Sequence, residues 1–264
     1  MKKAIVVTSF GCSIKDSRKK YIETIENSIK NNYKDIDCFR VFTSEIIRKK
    51  IKKEENIEVD NMKICFEKLK ENGYTHVYIA VTYIIPGIEY EIILKTTEKY
   101  KNDFEEIKIA RTFLDDNMGK KEINVIKSYI KTDLNNDEAV VLVGHGTNHE
   151  SHKYYKTFEE LLRKEVNSTY IVSIEKTPMI EDIMSDLKEK EIKKIYLYPF
   201  LIVAGNHALN DITSDDDDSI KSHLIKSNFK VNSFNTGLGN NEGAMNLFNE
   251  RLKECIKTNH NFSS

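Results

Sequence analysis

The sequence predicts an α/β protein of two pseudo-symmetric domains, each a parallel four-stranded sheet flanked by helices, with a cleft between them. Three observations carry that expectation. Short apolar runs rich in β-branched residues alternate with longer amphipathic stretches along all 264 residues, the pattern of strands joined by crossover helices. The run Ala139-Val-Val-Leu-Val is too short for a helix and suits a strand buried on both faces; it ends in Gly144-His145-Gly146. The first half of the chain can also be laid over the second.

In order, Ala4 to Val7 reads as a first strand that turns at Ser9-Phe10-Gly11. Asp16 or Ser17 is the expected cap of a helix to Asn31, with Ile22, Ile25 and Ile29 on one face. Cys38 to Phe42 is a strand, followed by a basic helix holding Arg48, Lys49 and Lys50 and then by a helix capped by Asp60 and ending before Gly73. His76 to Thr82 is a strand broken at Pro86-Gly87, Glu89 to Tyr100 a helix, Ile107 to Ala110 a strand, and Glu122 to Ile130 a bridging helix. After the Ala139 strand come a helix (Tyr154 to Val166), a strand (Tyr170 to Ile174), a helix (Ile180 to Lys190) and a strand (Ile195 to Val203). A helix near Ser219 to Lys226, a strand near Val231 to Phe234 and a helix from Glu242 to Lys257 complete the chain. The expected division is 1–134, an N-terminal domain with the bridging helix, and 135–264, a C-terminal domain carrying the site. No low-complexity linker separates them, hence the expected shared cleft.

Lys+Arg at 41 against Asp+Glu at 42 gives a formal net charge of -1, so bulk electrostatics make no case for a nucleic-acid partner. Cys12, Cys38, Cys65 and Cys255 form no Cys-x-x-Cys pair, which argues against a zinc ribbon or disulfide framework and fits a reducing compartment. The first apolar run stops at Val7, too short for a signal-peptide core, and no later segment suits a bilayer. The expectation is a soluble cytoplasmic protein without a membrane partner.

In the overlay of the halves, Ala4 to Gly11 lies on Ala139 to Gly146, Val41 to Ser44 on Ile174 to Thr177, and Ile84 to Glu89 on Ile202 to His207. It pairs Phe10 with His145, Phe42 with Glu175 and Glu89 with His207. Open α/β sheets take ligands at the carboxyl ends of their strands. There His145, Glu175 and His207 can converge as a donor set for a borderline divalent cation such as cobalt, nickel, iron or zinc. Phe10 and Phe42 would suit a flat apolar ligand. Plainer readings stand beside these. Buried parallel strands resemble one another anyway, and a strand-end histidine can be a structural hydrogen-bonder. Glu175 can cap the helix near Pro178, Glu89 can be a first-turn acid favoured by the helix dipole, and both phenylalanines can be core. His149 and His152 form a metal cluster with His145 or sit on a solvated loop. Asp215 to Asp218 recruit metal or form a solvated helix start.

Thr8-Ser-Phe-Gly11, Phe39-Arg-Val-Phe-Thr-Ser44, Val143-Gly-His-Gly146, Val203-Ala-Gly-Asn-His-Ala-Leu-Asn-Asp211 with Ser214-Asp-Asp, and Thr236-Gly-Leu-Gly239 resemble the anaerobic-type sirohydrochlorin cobaltochelatases, class II tetrapyrrole chelatases. The resemblance implies a chelatase-like fold and ATP-independent insertion of cobalt(II) into sirohydrochlorin in anaerobic cobalamin biosynthesis. No cofactor would be permanently bound; cobalt would be the substrate metal and sirohydrochlorin the tetrapyrrole partner. It further implies that His145 serves as proton acceptor and metal ligand, His207 as a ligand, and Glu175 as the group completing the set. Apart from the resemblance, Glu89 of the opposite half is a candidate to bind substrate, hold metal or relay protons. Tyr83 stands where relatives can carry histidine, and Pro86 replaces a polar residue, which bears on the cleft wall. The carboxylate-fringed substrate calls for positive charge, for which Arg40, Arg48 and Lys176 are candidates. No phosphate-binding glycine motif is present. Self-association into a homo-oligomer is a further expectation. The alternatives are a sister chelatase for iron, nickel or another porphyrin, and a non-catalytic tetrapyrrole or metal carrier.

Overall fold

The computed structural model describes residues 1–205 and 207–258, with the backbone alone at 207–209. In the first sheet, β1 (Lys3–Ser9), β2 (Asp37–Phe42), β3 (His76–Val81) and β4 (Glu106–Ile109) are all parallel, in the order β2-β1-β3-β4. In the second, β5 (Glu138–Gly144), β6 (Thr169–Ser173), β7 (Lys194–Pro199) and β8 (Lys230–Ser233) repeat that order as β6-β5-β7-β8, again all parallel. Each sheet is flanked by its crossover helices. In the first set, α1 (Lys15–Ser17) runs through a π-helical stretch into α2 (Thr24–Asn32), followed by α3 (Glu45–Glu55), α4 (Met62–Glu71) and α5 (Ile88–Tyr100). Then come α6 (Lys120–Tyr129), α7 (Lys153–Leu162), α8 (Met184–Glu189), α9 (Ile220–Lys226) and α10 (Glu242–Lys257). Among the described residues no helix is long and apolar enough to cross a membrane.

The strands are buried for the reason their composition predicts. Every residue of β5 is buried. Val141 and Val143 face a core with Val172, Leu197, Leu187 and Leu224. The corresponding core of the first sheet gathers Val6, Val41, Phe66, Leu69, Ile79 and Ile93.

Several boundaries differ from the sequence expectation. Neither Asp16 nor Ser17 caps the first helix; its N-cap is Ile14, with no side-chain cap bond. Asn61, not Asp60, caps α4 by accepting from the Ile64 amide at 2.8 Å; Asp60 instead receives Lys68 at 2.7 Å. The expected strand to Val203 stops at Pro199, where proline removes the next ladder donor.

The chain divides into two compact units, Met1–Asp115 with Met245–Ser264, and Asp116–Ala244. The division differs from the expected boundary after residue 134, and the last helix joins the first unit. There Phe248 lies 6.4 Å from Phe113, Glu254 pairs with Arg111 at 3.2 Å, and Lys108 reaches the Ile256 carbonyl at 3.4 Å.

Candidate active site

In the second unit the ends of β5 and β6 bring two of the predicted residues together. Gly144 ends β5 beneath the Tyr155 ring; a Cβ there would lie 2.8 Å from that ring, so only glycine fits. Gly146 has φ +88°, and a Cβ on it would lie 2.8 Å from Ser173 Oγ. Both glycines are therefore required by close approach, and Gly146 also by its left-handed backbone. Beyond the ladder, Ile174 N donates to Gly144 O and Glu175 N to His145 O, both at 3.1 Å. These bonds set the two loops side by side. His145 Nδ1 then lies 3.5 Å from Glu175 Oε2, with side chains 41% and 57% exposed, so both groups are open to a ligand. Nδ1 also faces the Gly146 carbonyl at 3.2 Å. A carbonyl only accepts, so this contact places the ring proton on Nδ1 and the lone pair on Nε2. A carboxylate beside the protonated nitrogen orients the ring.

The third predicted donor, His207, begins a π-helical turn to Ile212; its side chain lies outside the described residues. Among the described residues no group of three or more His, Cys, Asp or Glu is arranged to hold a metal ion. Glu175 does not cap the following turn. That role falls to Met179, whose amide donates to Asp182 at 2.7 Å.

The first unit repeats this backbone. Thr43 N donates to Ser9 O and Ser44 N to Phe10 O, so Thr43 and Ser44 stand where Ile174 and Glu175 stand. Gly11 has φ +100°, and a Cβ there would lie 2.8 Å from Phe42, the counterpart of Ser173 against Gly146. This corrects the sequence overlay by two residues: Ser44, not Phe42, is the counterpart of Glu175. Phe42 is fully buried, while Phe10 is half exposed. On the third strand the overlay agrees with the backbone pattern. Gly87 N bonds Ile85 O as Gly205 N bonds Val203 O, and Leu114 N bonds Ile84 O as Gly239 N bonds Ile202 O. Glu89 therefore occupies the position of His207.

Glu89 lies in the first turn of α5, and its Oε2 is buried without a hydrogen-bond partner. Tyr83 meets Thr43 Oγ1 at 3.1 Å; burial pushes its phenol well above the ordinary range, and the Glu89 carboxylate adds to that. Of the three candidate rim cations, Arg40 is engaged by Glu26 and Glu23, Arg48 Nε is buried without a hydrogen-bond partner, and Lys176 is exposed. His149 caps the turn Glu150–His152 by accepting from Ser151 N at 3.2 Å, and His152 bonds the Thr177 carbonyl. Asp215 and Asp217 pair with Lys221 and Lys226 of α9, whose N-cap is Ser219. Sequence reasoning missed Tyr155 and Ser173 as the groups that shape the His145 loop; the glycines at 144 and 146 were their signal.

A family model described as Cobalt chelatase (CbiK) matches residues 3–257. The chain belongs to that family. Among cobalt chelatase relatives, the sirohydrochlorin cobaltochelatase of Salmonella typhimurium is 28% identical over 256 residues, covering 97% of both chains. The sirohydrochlorin cobaltochelatase CbiKC of Nitratidesulfovibrio vulgaris is 25% identical over 262 residues, covering 97% of this chain and 91% of the relative. Among solved structures, SirB from Bacillus subtilis with Fe3+ aligns with a TM-score of 0.66 at 15% identity, over 97% of this chain and 96% of that one. The sirohydrochlorin chelatase SirB from Bacillus subtilis subspecies spizizenii in complex with cobalt aligns with a TM-score of 0.60 at 14% identity, over 97% and 95%. The two likenesses establish a shared fold with this cobalt chelatase family member.

Proposed function

We propose that the chain inserts cobalt(II) into sirohydrochlorin in anaerobic cobalamin biosynthesis, without nucleotide hydrolysis, with His145 as the proton acceptor. The observation that carries this reading is the His145–Glu175 pair, Nδ1 to Oε2 at 3.5 Å, on adjacent strand ends of one sheet. The names of the two relatives supply the substrate class.

Metallation requires the macrocycle to lose two pyrrole protons as cobalt exchanges its earlier ligands for four ring nitrogens. A neutral imidazole with its lone pair on Nε2 accepts such a proton: the pyrrole N–H bond breaks and an Nε2–H bond forms. The resulting imidazolium is stabilised by the Glu175 carboxylate beside Nδ1. His145 passes each proton to water before the next. Since one nitrogen cannot hold metal and proton together, His207 and Glu175 retain cobalt while His145 changes from ligand to base. No step calls for nucleotide; the stability of the metal complex drives the reaction.

His145→Ala tests this directly. General-base catalysis of this kind is worth roughly a hundred- to ten-thousand-fold, so cobalt insertion near neutral pH falls by that order while circular dichroism is unchanged. A folded variant with normal turnover overturns the assignment of the base. Iron is the second reading, because the borderline donor set does not separate neighbouring metals; competition between cobalt(II) and iron(II) on purified protein decides it.

A further inference from the structure

His152 has no part in that chemistry, yet it is bonded to the segment that carries Glu175. It ends the turn Glu150–His152 that follows the His145 loop. Its Nε2 lies 2.8 Å from the carbonyl oxygen of Thr177, two residues beyond Glu175. The carbonyl only accepts, so Nε2 carries the proton. Nδ1 is buried without a hydrogen-bond partner. The hydrogen bonding of the ring thus runs in one direction, from Nε2 to the Thr177 carbonyl. Its orientation is set by Tyr155, which it meets edge-on at 5.4 Å and 75°. Tyr155 is itself the ring above Gly144, so His152 and the end of β5 share one support.

The Glu175 segment needs such a tether. Its bonds to the β5 end are the two backbone bonds from Ile174 and Glu175. Beyond them it folds on itself, with Ser173 Oγ donating to the Lys176 carbonyl and Ser173 N to the Pro178 carbonyl at 2.9 Å. His152 adds a side-chain bond from the neighbouring loop.

We propose that His152 is a positioning residue: by donating to Thr177 O it fixes the loop bearing Glu175 against the loop bearing His145, and so sets the separation of that pair. The proposal rests on the reading of the pair as the reacting centre. The test compares the full-length wild type with His152→Ala and His152→Gln, the glutamine amide keeping a donor at the reach of Nε2. Hydrogen exchange at the Ile174 and Glu175 amides and steady-state cobalt insertion into sirohydrochlorin are both read. In His152→Ala the two amides exchange about tenfold faster and kcat falls about tenfold, since a displacement on the order of 1 Å at a reacting group costs up to a hundredfold. KM for sirohydrochlorin changes little, and His152→Gln recovers most of both losses. Wild-type exchange and turnover in His152→Ala overturns the proposal, as does equal impairment of the two variants, which would assign the effect to packing on Tyr155. A wild-type protein without turnover overturns the chelatase reading instead, and the exchange comparison alone then decides whether His152 holds the loop.

Discussion

Gly146 is the residue on which the geometry of His145 most depends. Its φ of +88° and the 2.8 Å approach of Ser173 Oγ to a would-be Cβ predict that Gly146→Ala destabilises the chain by about 1–3 kcal/mol. Urea unfolding measures this; an unchanged midpoint contradicts the strain. The Gly-His-Gly triplet was visible in sequence because glycine on both sides of a histidine at the end of an apolar run is a backbone requirement written in residue types. The counterpart of Glu175 in the first unit was not visible. A slip of two residues along a strand preserves which side chains face in and which face out, so apolar pattern cannot distinguish Phe42 from Ser44 as its counterpart. Only the bonds from Thr43 and Ser44 to the end of β1 do so.

At the scale of elements, helix starts and strand ends carry the testable claims. Asn61→Ala removes the α4 cap bond and is expected to cost about 1 kcal/mol. Asp60→Ala, which loses an exposed pair with Lys68, is expected to cost at most about 1 kcal/mol; thermal unfolding of the two variants compares them, and a costlier Asp60→Ala reverses the assignment of the cap. Two adjacent capping residues cannot be ranked from sequence, because both types accept from an amide and the choice depends on where the loop enters the helix. At the amino end of β5, Glu138 accepts from Asn135 N at 3.1 Å and from the Tyr196 hydroxyl at 2.8 Å, with Lys194 at 3.3 Å. Those hydrogen bonds lower its carboxyl to about 2 against the ordinary 4.5, burial working the other way and the lysines assisting. A carboxyl lowered on folding stabilises the fold above its unfolded value and ceases to do so as pH falls through the folded one. The stabilisation is therefore complete above the ordinary 4.5 and lost towards 2. Wild type and Glu138→Gln should differ in urea midpoint at neutral pH and converge in acid; a gap independent of pH would mean that Glu138 acts through packing alone.

For the whole molecule, strand–helix alternation was sufficient to anticipate two parallel four-stranded sheets, because each strand and each crossover leaves its own period in the sequence. The shared order β2-β1-β3-β4 and β6-β5-β7-β8 agrees with the repeat read from the apolar runs. Assignment of the last helix was beyond that signal. An amphipathic stripe says that α10 needs a core but not which one, and Met245 onward joins the first unit. The metal carried is likewise illegible in the donors, since imidazole and carboxylate suit several neighbouring cations.

Turnover number tests the central claim most directly. Apo-protein is mixed with a tenfold excess of sirohydrochlorin and cobalt(II), and metallation is followed by the change in the macrocycle's visible spectrum. The account predicts conversion well beyond one macrocycle per chain, lost in His145→Ala. Conversion that stops at one equivalent in the wild type would contradict it and identify a carrier rather than a catalyst.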